Sequence, residues 1–431
     1  MKEKSVIKNA SWIIGCRILK SLISFIIGVF TVRYLGPSNY GLLNYVTAIV
    51  AFATPIMQLG FPSVLVNEMI NNPEDEGKIL GTSLLFNIVS AVFSIIGIML
   101  FVTISNAGEE TTILVCFLYS LILIFQAGEM TQYWFQTKLL SKYSATVSLA
   151  AYIVVSVYKV FLLVLEKSIV WFVLTHVIEA VIISILLFVL YRKLGNQKLS
   201  FSFSLGRALF SKSKYYVLSG LMLIVFTQTD KIMLKEMIGE TETGYYSAAL
   251  ACIGITSFVF TAILDSARPS IFDAKRHSYE AFEKQLSLLF SVVIYISLLQ
   301  SIFMTIFADL IVSVLYGQAY LPAATVLKFA VWYVTFSNIG NVESIWIVSE
   351  NKQKYLPIIN LFGAALNIIV NALLIPRFGA CGAAIASVAT QLFSKGFLFI
   401  IIKPMRPIGK IMLKSFNPVL LTEFVGKRIR K

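Results

Sequence analysis

The 431-residue sequence predicts an all-α integral membrane protein with about twelve transmembrane helices in two sets of six. Three observations predict it. Hydrophobic residues make up 58% and charged residues 13% of the chain, with a mean hydropathy of +0.82, whereas soluble domains hold about 45–50% apolar residues. The apolar residues fall into twelve stretches, each near the roughly 20 residues that a helix needs to cross a bilayer core. Lys and Arg collect in alternate loops between those stretches.

In order, the spans are 11–33, 42–66, 79–104, 111–137, 144–165, 169–190, 215–238, 245–266, 285–308, 322–348, 356–376 and 380–402. With the N-terminus inside, the inside segments are 1–10, 67–78, 138–143, 191–214, 267–284, 349–355 and 403–431, and they hold 26 of the 36 Lys and Arg. The outside segments hold three, Arg33, Lys167 and Arg377. Basic residues stay on the cytoplasmic side during insertion, so both termini are expected to be cytoplasmic. Ile13-Ile14-Gly15-Cys16 looks like a lipoprotein cleavage box, but its apolar run follows the cysteine instead of preceding it. The first span is therefore read as uncleaved. The net charge of +14 is topological and implies no nucleic acid. The basic tail from Lys403 is expected to lie on anionic membrane lipids. The four cysteines have no metal-ligand spacing and suggest no disulfide framework.

The loop 191–214, with six basic residues, divides the chain into an N-terminal bundle (1–200), a C-terminal bundle (201–402) and a basic tail (403–431). The halves echo each other. Gly36 and Gly41 follow the first span of one half, and Gly239 and Gly244 follow the first span of the other. Trp134 precedes Lys142-Tyr143 as Trp346 precedes Lys354-Tyr355, at offsets of 203 residues for the first match and 212 for the second. Halves with equal span number and the same starting side are parallel repeats, an arrangement of transporters.

Three motifs then carry a resemblance. Arg33-Tyr-Leu-Gly-Pro-Ser-Asn-Tyr-Gly41 is similar to a first-loop motif of polysaccharide transporters. Asp230-Lys-Ile-Met, with Ile238-Gly and Gly244-Tyr-Tyr-Ser-Ala-Ala249, resembles their seventh-span motif. Leu374-Ile-Pro-Arg-Phe-Gly-Ala-Cys-Gly-Ala-Ala384 resembles the turn between their last two spans. The chain thus resembles the polysaccharide (O-antigen, Wzx-type) flippases of the multidrug/oligosaccharidyl-lipid/polysaccharide exporter superfamily. The resemblance implies a V-shaped pair of six-helix bundles around a central cavity, in a bacterial cytoplasmic membrane. It implies translocation of an undecaprenyl-diphosphate-linked oligosaccharide to the outer leaflet for capsule or O-antigen synthesis. Its implied partners are that lipid-linked oligosaccharide and the polysaccharide polymerase machinery. Lipid II flippases of the same superfamily usually carry fourteen spans.

Charged residues inside spans are the candidate site, because each costs about 2.5–3.5 kcal/mol to insert. On the first span Arg17, Lys20, Ser21, Ser24, Gly28 and Thr31 fall within about 100° of arc. Arg17, Lys20 and Ser24 are expected to bind substrate, with Lys231 on the seventh span. A lipid diphosphate would suit this cationic face. A structural ion pair with Glu129 or Glu179, or snorkelling to the inner leaflet, are the other two readings. Glu129, Glu179 and Asp230 are candidates for ion coupling. Glu179 lies one turn from His176, a pairing that suits either proton transfer or packing. Asp230 suits a functional role or a structural contact. Lys159, Lys235, Lys328 and Lys395 lie near enough to span ends to snorkel. Asn360, Asn367 and Asn371 are read as interhelical hydrogen-bonding groups.

No catalytic set, phosphate-cradling glycine loop, metal cluster or cofactor motif is present in the sequence, so the expectation is a transporter without cofactor and not an enzyme. A polysaccharide polymerase should carry a large outside loop with catalytic polar residues, and the outside loops here are short. A multidrug antiporter should favour acidic cavity residues, against the cationic face of the first span.

Overall fold

The computed structural model describes residues 2–418, with side chains from Trp12 to Pro418. Helices dominate, and no strand occurs among the described residues. The end of the basic tail, with Lys427, Arg428, Arg430 and Lys431, lies outside the described residues. The chain divides into two compact units, Met1–Gln228 and Thr229–Lys431.

The first unit begins with α1 (Lys2–Met57), two helical pieces that meet at Gly36, where φ is 70° and ψ 171°. Only glycine adopts that region readily. Pro37 follows as the first residue of the second piece, where its missing N–H costs no helical hydrogen bond. The second span therefore occupies 37–57, and the expected span 42–66 is displaced by this one-residue break. Next come α2 (Leu65–Asn71), α3 (Glu76–Ser105), α4 (Glu110–Ser120), α5 (Ile122–Gly128) and α6 (Thr131–Thr137). The last three form one apolar run, interrupted at Leu121 and at Glu129–Met130. α7 (Ser141–Val164) and α8 (Ile169–Leu194) complete the bundle. Phe61, Leu65, Met69, Trp134, Phe135 and Tyr191 form one buried hydrophobic cluster of this unit.

The segment after α8 is sewn onto this unit. Gln197 Oε1 accepts from the Gly77 N–H at 2.8 Å, and its Nε2 donates to the Pro73 carbonyl at 2.8 Å. The Ser202 N–H donates to Thr82 Oγ1 at 3.1 Å, and Ser213 Oγ donates to the Leu59 carbonyl at 2.6 Å. Lys212 pairs with Glu68 at 2.5 Å. These bonds explain why the division falls at Gln228, inside α9 (Phe203–Met237), and not in the loop before it.

The second unit holds α10 (Glu240–Gly254) and α11 (Ser257–His277), bent 42° at their junction, then α12 (Tyr279–Ile306), α13 (Ala308–Tyr316) and α14 (Leu321–Ser349). α15 (Leu356–Gln391) is broken at Gly379, with φ 54°. A π-helical turn (Leu392–Phe397), α16 (Leu398–Ile401) and α17 (Arg406–Lys414) follow. The tail does not begin as a loose basic segment. Met405, Ile408, Ile411 and Met412 enter the hydrophobic core with Phe282, Phe290 and Phe399. Ser291 Oγ and Tyr295 OH donate to the carbonyls of Ser415 and Phe416 at 2.8 and 2.7 Å. Arg406, Lys410 and Lys414 stay on the exposed face, as an amphipathic helix requires.

Nine helical runs among the described residues are long and apolar enough to cross a membrane, or ten with the bent pair as one. Two of them, Trp12–Met57 and Gln353–Ile401, have 46 and 49 residues. At about 1.5 Å per residue each is more than twice as long as a ~30 Å hydrocarbon core. The chain is an all-α, multi-pass membrane protein.

The two units repeat one set of turns. Left-handed backbone occurs at Gly36, Gly108, Leu139 and Glu166 in the first, and at Gly239, Gly317, Asn351 and Gly379 in the second. Paired in order, these lie 203, 209, 212 and 213 residues apart. The backbone thus extends the repeat from two sequence matches to four turns. Leu59 and Gly60 have no such counterpart, because α11 runs on to His277 where the first unit turns.

Candidate functional site

Each unit carries an intramembrane polar cluster. In the first, Lys20 on α1 reaches across to α7 and α8. Its Nζ lies 2.8 Å from Glu179 Oε1, 3.1 Å from Ser148 Oγ and 4.9 Å from the centre of the Tyr152 ring. Ser148, Tyr152 and Lys159 recur at helical spacing on α7, so one face of that helix is polar. Glu129 sits at the break between α5 and α6, half-buried, with no hydrogen bond to its carboxylate among the described residues. Glu179 lies within electrostatic reach of both Glu129 and Lys159. His176 does not bond Glu179; its ring packs on Tyr119 at 5.6 Å.

Arg17, one turn before Lys20, is exposed and has no ion pair or hydrogen bond among the described residues. Ser24 is exposed on the same arc. The structure therefore separates two residues that share a face in the sequence: Lys20 is neutralised by Glu179, and Arg17 is not neutralised.

In the second unit Asp230 on α9 is 4% exposed and accepts four hydrogen bonds. Oδ1 accepts from Asn367 and Asn371 on α15 at 3.0 and 2.6 Å. Oδ2 accepts from Tyr246 OH on α10 and Ser387 Oγ on α15 at 2.5 and 2.6 Å. Four donors fill the acceptor positions of a carboxylate. Nearby, Glu242 Oε2 accepts from the Ala380 N–H at 2.7 Å, just past the Gly379 break. A carboxylate suits the start of a helix, where N–H groups lack partners. The second and third sequence motifs thus bind each other within this unit. Lys231, beside Asp230, is half-buried and holds no ion pair among the described residues.

The four lysines expected near span ends differ. Lys328 pairs with Asp309 at 2.7 Å, but Lys235 is buried, 7% exposed, and does not snorkel. Lys395 lies along Gly340, where a Cβ would come within 2.8 Å of its Cδ. Glu343, one turn further along α14, is buried with neither carboxylate oxygen hydrogen-bonded among the described residues. Ser148, Tyr152, Tyr246 and Ser387 were not singled out by the sequence. A polar stripe at helical spacing in the fifth span is the signal that could have found the first two. Among the described residues no group of three or more His, Cys, Asp or Glu is placed to hold a metal.

A family profile described as "Polysaccharide biosynthesis protein" matches residues 6–275. The capsular polysaccharide biosynthesis protein CapF of Staphylococcus aureus is 22% identical over 397 residues, covering 90% of this chain and 96% of that protein. An uncharacterized membrane protein of Methanocaldococcus jannaschii is 28% identical over 207 residues, 46% of this chain and 40% of its own length. A probable low-salt glycan biosynthesis flippase of Haloferax volcanii is 21% identical over 187 residues, 43% of this chain and 40% of that protein. The matches to the two archaeal proteins thus span less than half of each. Among solved structures, the lipid II flippase MurJ in an inward closed conformation superposes with a TM-score of 0.72 at 14% identity, over 96% of this chain and 92% of that one. An inward-facing multidrug resistance MATE family transporter of the MOP superfamily gives 0.68 at 12% identity, over 91% and 95%. Both likenesses concern the fold.

Proposed function

Because the chain belongs to the polysaccharide biosynthesis protein family, we propose that it is a flippase for a lipid-linked oligosaccharide, carried on undecaprenyl diphosphate across the cytoplasmic membrane. The observation that carries this reading is Arg17, an exposed cation within a span that has no partner among the described residues. Such a residue faces water or an anion, because an unpaired charge against lipid is costly. A diphosphate offers Arg17 a bidentate partner. A multidrug antiporter of the same fold would need an acidic face at this place instead.

Lys20 adds a way to couple transport to an ion. It pairs with Glu179, and it is the cation next to Arg17 on the same arc. When Lys20 turns to the diphosphate, Glu179 loses its bonded counter-ion beside Glu129, and Lys159 is the cation left within electrostatic reach. Two neighbouring carboxylates that share one such cation in a membrane are unfavourable until one takes a proton or a cation. Substrate arrival and ion uptake are thereby linked, and release reverses both. Lys231 and Ser24 remain substrate contacts in this proposal. Asp230, with its acceptor positions filled, holds α9, α10 and α15 together instead of carrying the ion. The two repeated units supply the two halves of an alternating-access transporter, and splitting the runs at Gly36 and Gly379 supports twelve crossings, an even number with both termini on one side.

Lipid-linked repeat units should accumulate in the inner leaflet of cells carrying Arg17→Ala, with protein level unchanged. The lost contact is worth about 1.5–3 kcal/mol, roughly a 10- to 100-fold loss of affinity. Arg17→Lys should rescue in part. Glu179→Gln should keep diphosphate binding but lose dependence on the ion gradient. Wild-type export by Arg17→Ala and Lys20→Ala together would overturn the assignment.

A further inference from the structure

The second unit contains a cavity of about 200 Å³ at the junction of α10 and α11. Gly254 and Ser257 line it from the junction, and Tyr333, Ser337, Asn338 and Asn341 line it from α14. No charged residue lines it. The junction is held open by its own side chains. Thr256 Oγ1 donates to the Ile253 carbonyl at 2.9 Å and accepts from Gln300 Nε2 at 2.6 Å. Ser257 Oγ donates to the Gly254 carbonyl at 2.8 Å. The carbonyls freed by the break are thus satisfied locally, and the hydroxyls keep acceptor lone pairs toward the cavity.

Two observations point to a ligand. Asn338 is 6% exposed, lines the cavity, and its Nδ2 has no hydrogen-bond partner among the described residues. A buried amide donor without an acceptor is unfavourable, so a turn of the amide onto an occupant that accepts a hydrogen bond is favoured there. The cavity also adjoins a polar surface. Ser257 and Thr261, which line it, share one exposed face of α11 with Asp265 and Arg268, paired at 3.3 Å. In an apolar bundle such a face meets water, not acyl chains.

Apolar faces from Leu250, Ile253, Phe260 and Val334 alternate with hydroxyl and amide groups and the Tyr333 ring, and no charge is present; such a mixed lining suits the C–H faces and hydroxyls of a neutral pyranose. Its hydroxyls accept from Asn338 and donate to the serine oxygens, and its C–H face can lie on the ring. A metal cation is disfavoured by the absence of any carboxylate. We propose that this cavity binds one neutral sugar residue of the carried glycan, an inference that rests on the flippase reading above.

The test uses the full chain in lipid nanodiscs and two probes: undecaprenyl diphosphate bearing one N-acetylhexosamine, and bare undecaprenyl diphosphate. Gly254 lines the cavity and a Cβ on it meets nothing within 4 Å, so Gly254→Leu adds bulk at the cavity from a position with open space. Asn338→Leu removes the buried donor at similar volume. Each should weaken binding of the sugar-bearing lipid roughly tenfold and leave the bare lipid unchanged. Thermal unfolding checks the fold of each variant, and exposed Asn341→Ala carries the test if Asn338→Leu does not fold. Equal weakening of both lipids, or no weakening of either, overturns the subsite. If the wild-type protein binds neither lipid, the flippase reading itself fails.

Discussion

Asp230 and Arg17 are both charges inside apolar runs, yet their surroundings are opposite. Asp230 has four donors and no room for more; Arg17 has no acceptor among the described residues. Asp230→Ala would leave two amides and two hydroxyls without their acceptor in a packed interior, and should destabilise the protein by about 3–5 kcal/mol. Asn371→Ala, which removes one of the four donors, should cost about 1–3 kcal/mol. Thermal unfolding of the purified protein measures both, and an Asp230→Ala variant as stable as wild type would show that the carboxylate is held for an ion. The charged members of both clusters were legible in the sequence because a charge stands out in a span. Of their partners, Asn367 and Asn371 were legible as interhelical hydrogen-bonding groups, and the hydroxyls were not. Ser and Tyr are ordinary in membrane helices, and only the fold shows that Ser148 meets Lys20 or that Ser387 meets Asp230.

Helices were legible here, but their ends were not, for a reason visible at Gly36. A break of one left-handed residue leaves no polar loop, so the apolar signal runs on through it. The second span was expected to reach 66, whereas α1 ends at Met57 and the apolar Phe61 belongs to the following turn. The breaks themselves make a sharp prediction. Gly36 and Gly239 have φ of 70° and 130° with extended ψ. A side chain there is strained by about 1–3 kcal/mol. Gly36→Ala and Gly239→Ala should each lower stability by that amount. Gly28→Ala, where a Cβ meets nothing within 4 Å, should be neutral or raise stability by about 0.5–1 kcal/mol. Thermal unfolding that ranks Gly28→Ala with the other two would show that the turn geometry is not the cause.

The same turns recur in both units, so the whole chain should obey one topology. Ser105 and Tyr316 precede the equivalent glycines Gly108 and Gly317 and must share a side. Reporter fusions after Ser105 and Tyr316 should read outside, and fusions after Asn196 and Ser278 inside; a reversed result at Asn196 would break the two-half scheme. The repeat also reaches one ion pair, with its sign exchanged. Four residues after Trp134, Lys138 pairs with Glu76 at 2.5 Å; four residues after Trp346, Glu350 pairs with Lys275. The exchange has a consequence at the tryptophans. Trp134 Nε1 donates to Glu76 Oε2 at 3.0 Å, but a lysine cannot accept, and Trp346 Nε1 has no partner among the described residues. The residue four after each tryptophan is thus paired with either polarity, with partners on different elements, and the tryptophan bond depends on the polarity. Lys138→Glu alone sets two acids face to face and should cost about 1–3 kcal/mol. Adding Glu76→Lys should recover most of that loss, short by about 1 kcal/mol for the Trp134 hydrogen bond. A double-mutant cycle in thermal unfolding measures the coupling, and simple additivity of the two reversals would show that the pair does not act as a unit.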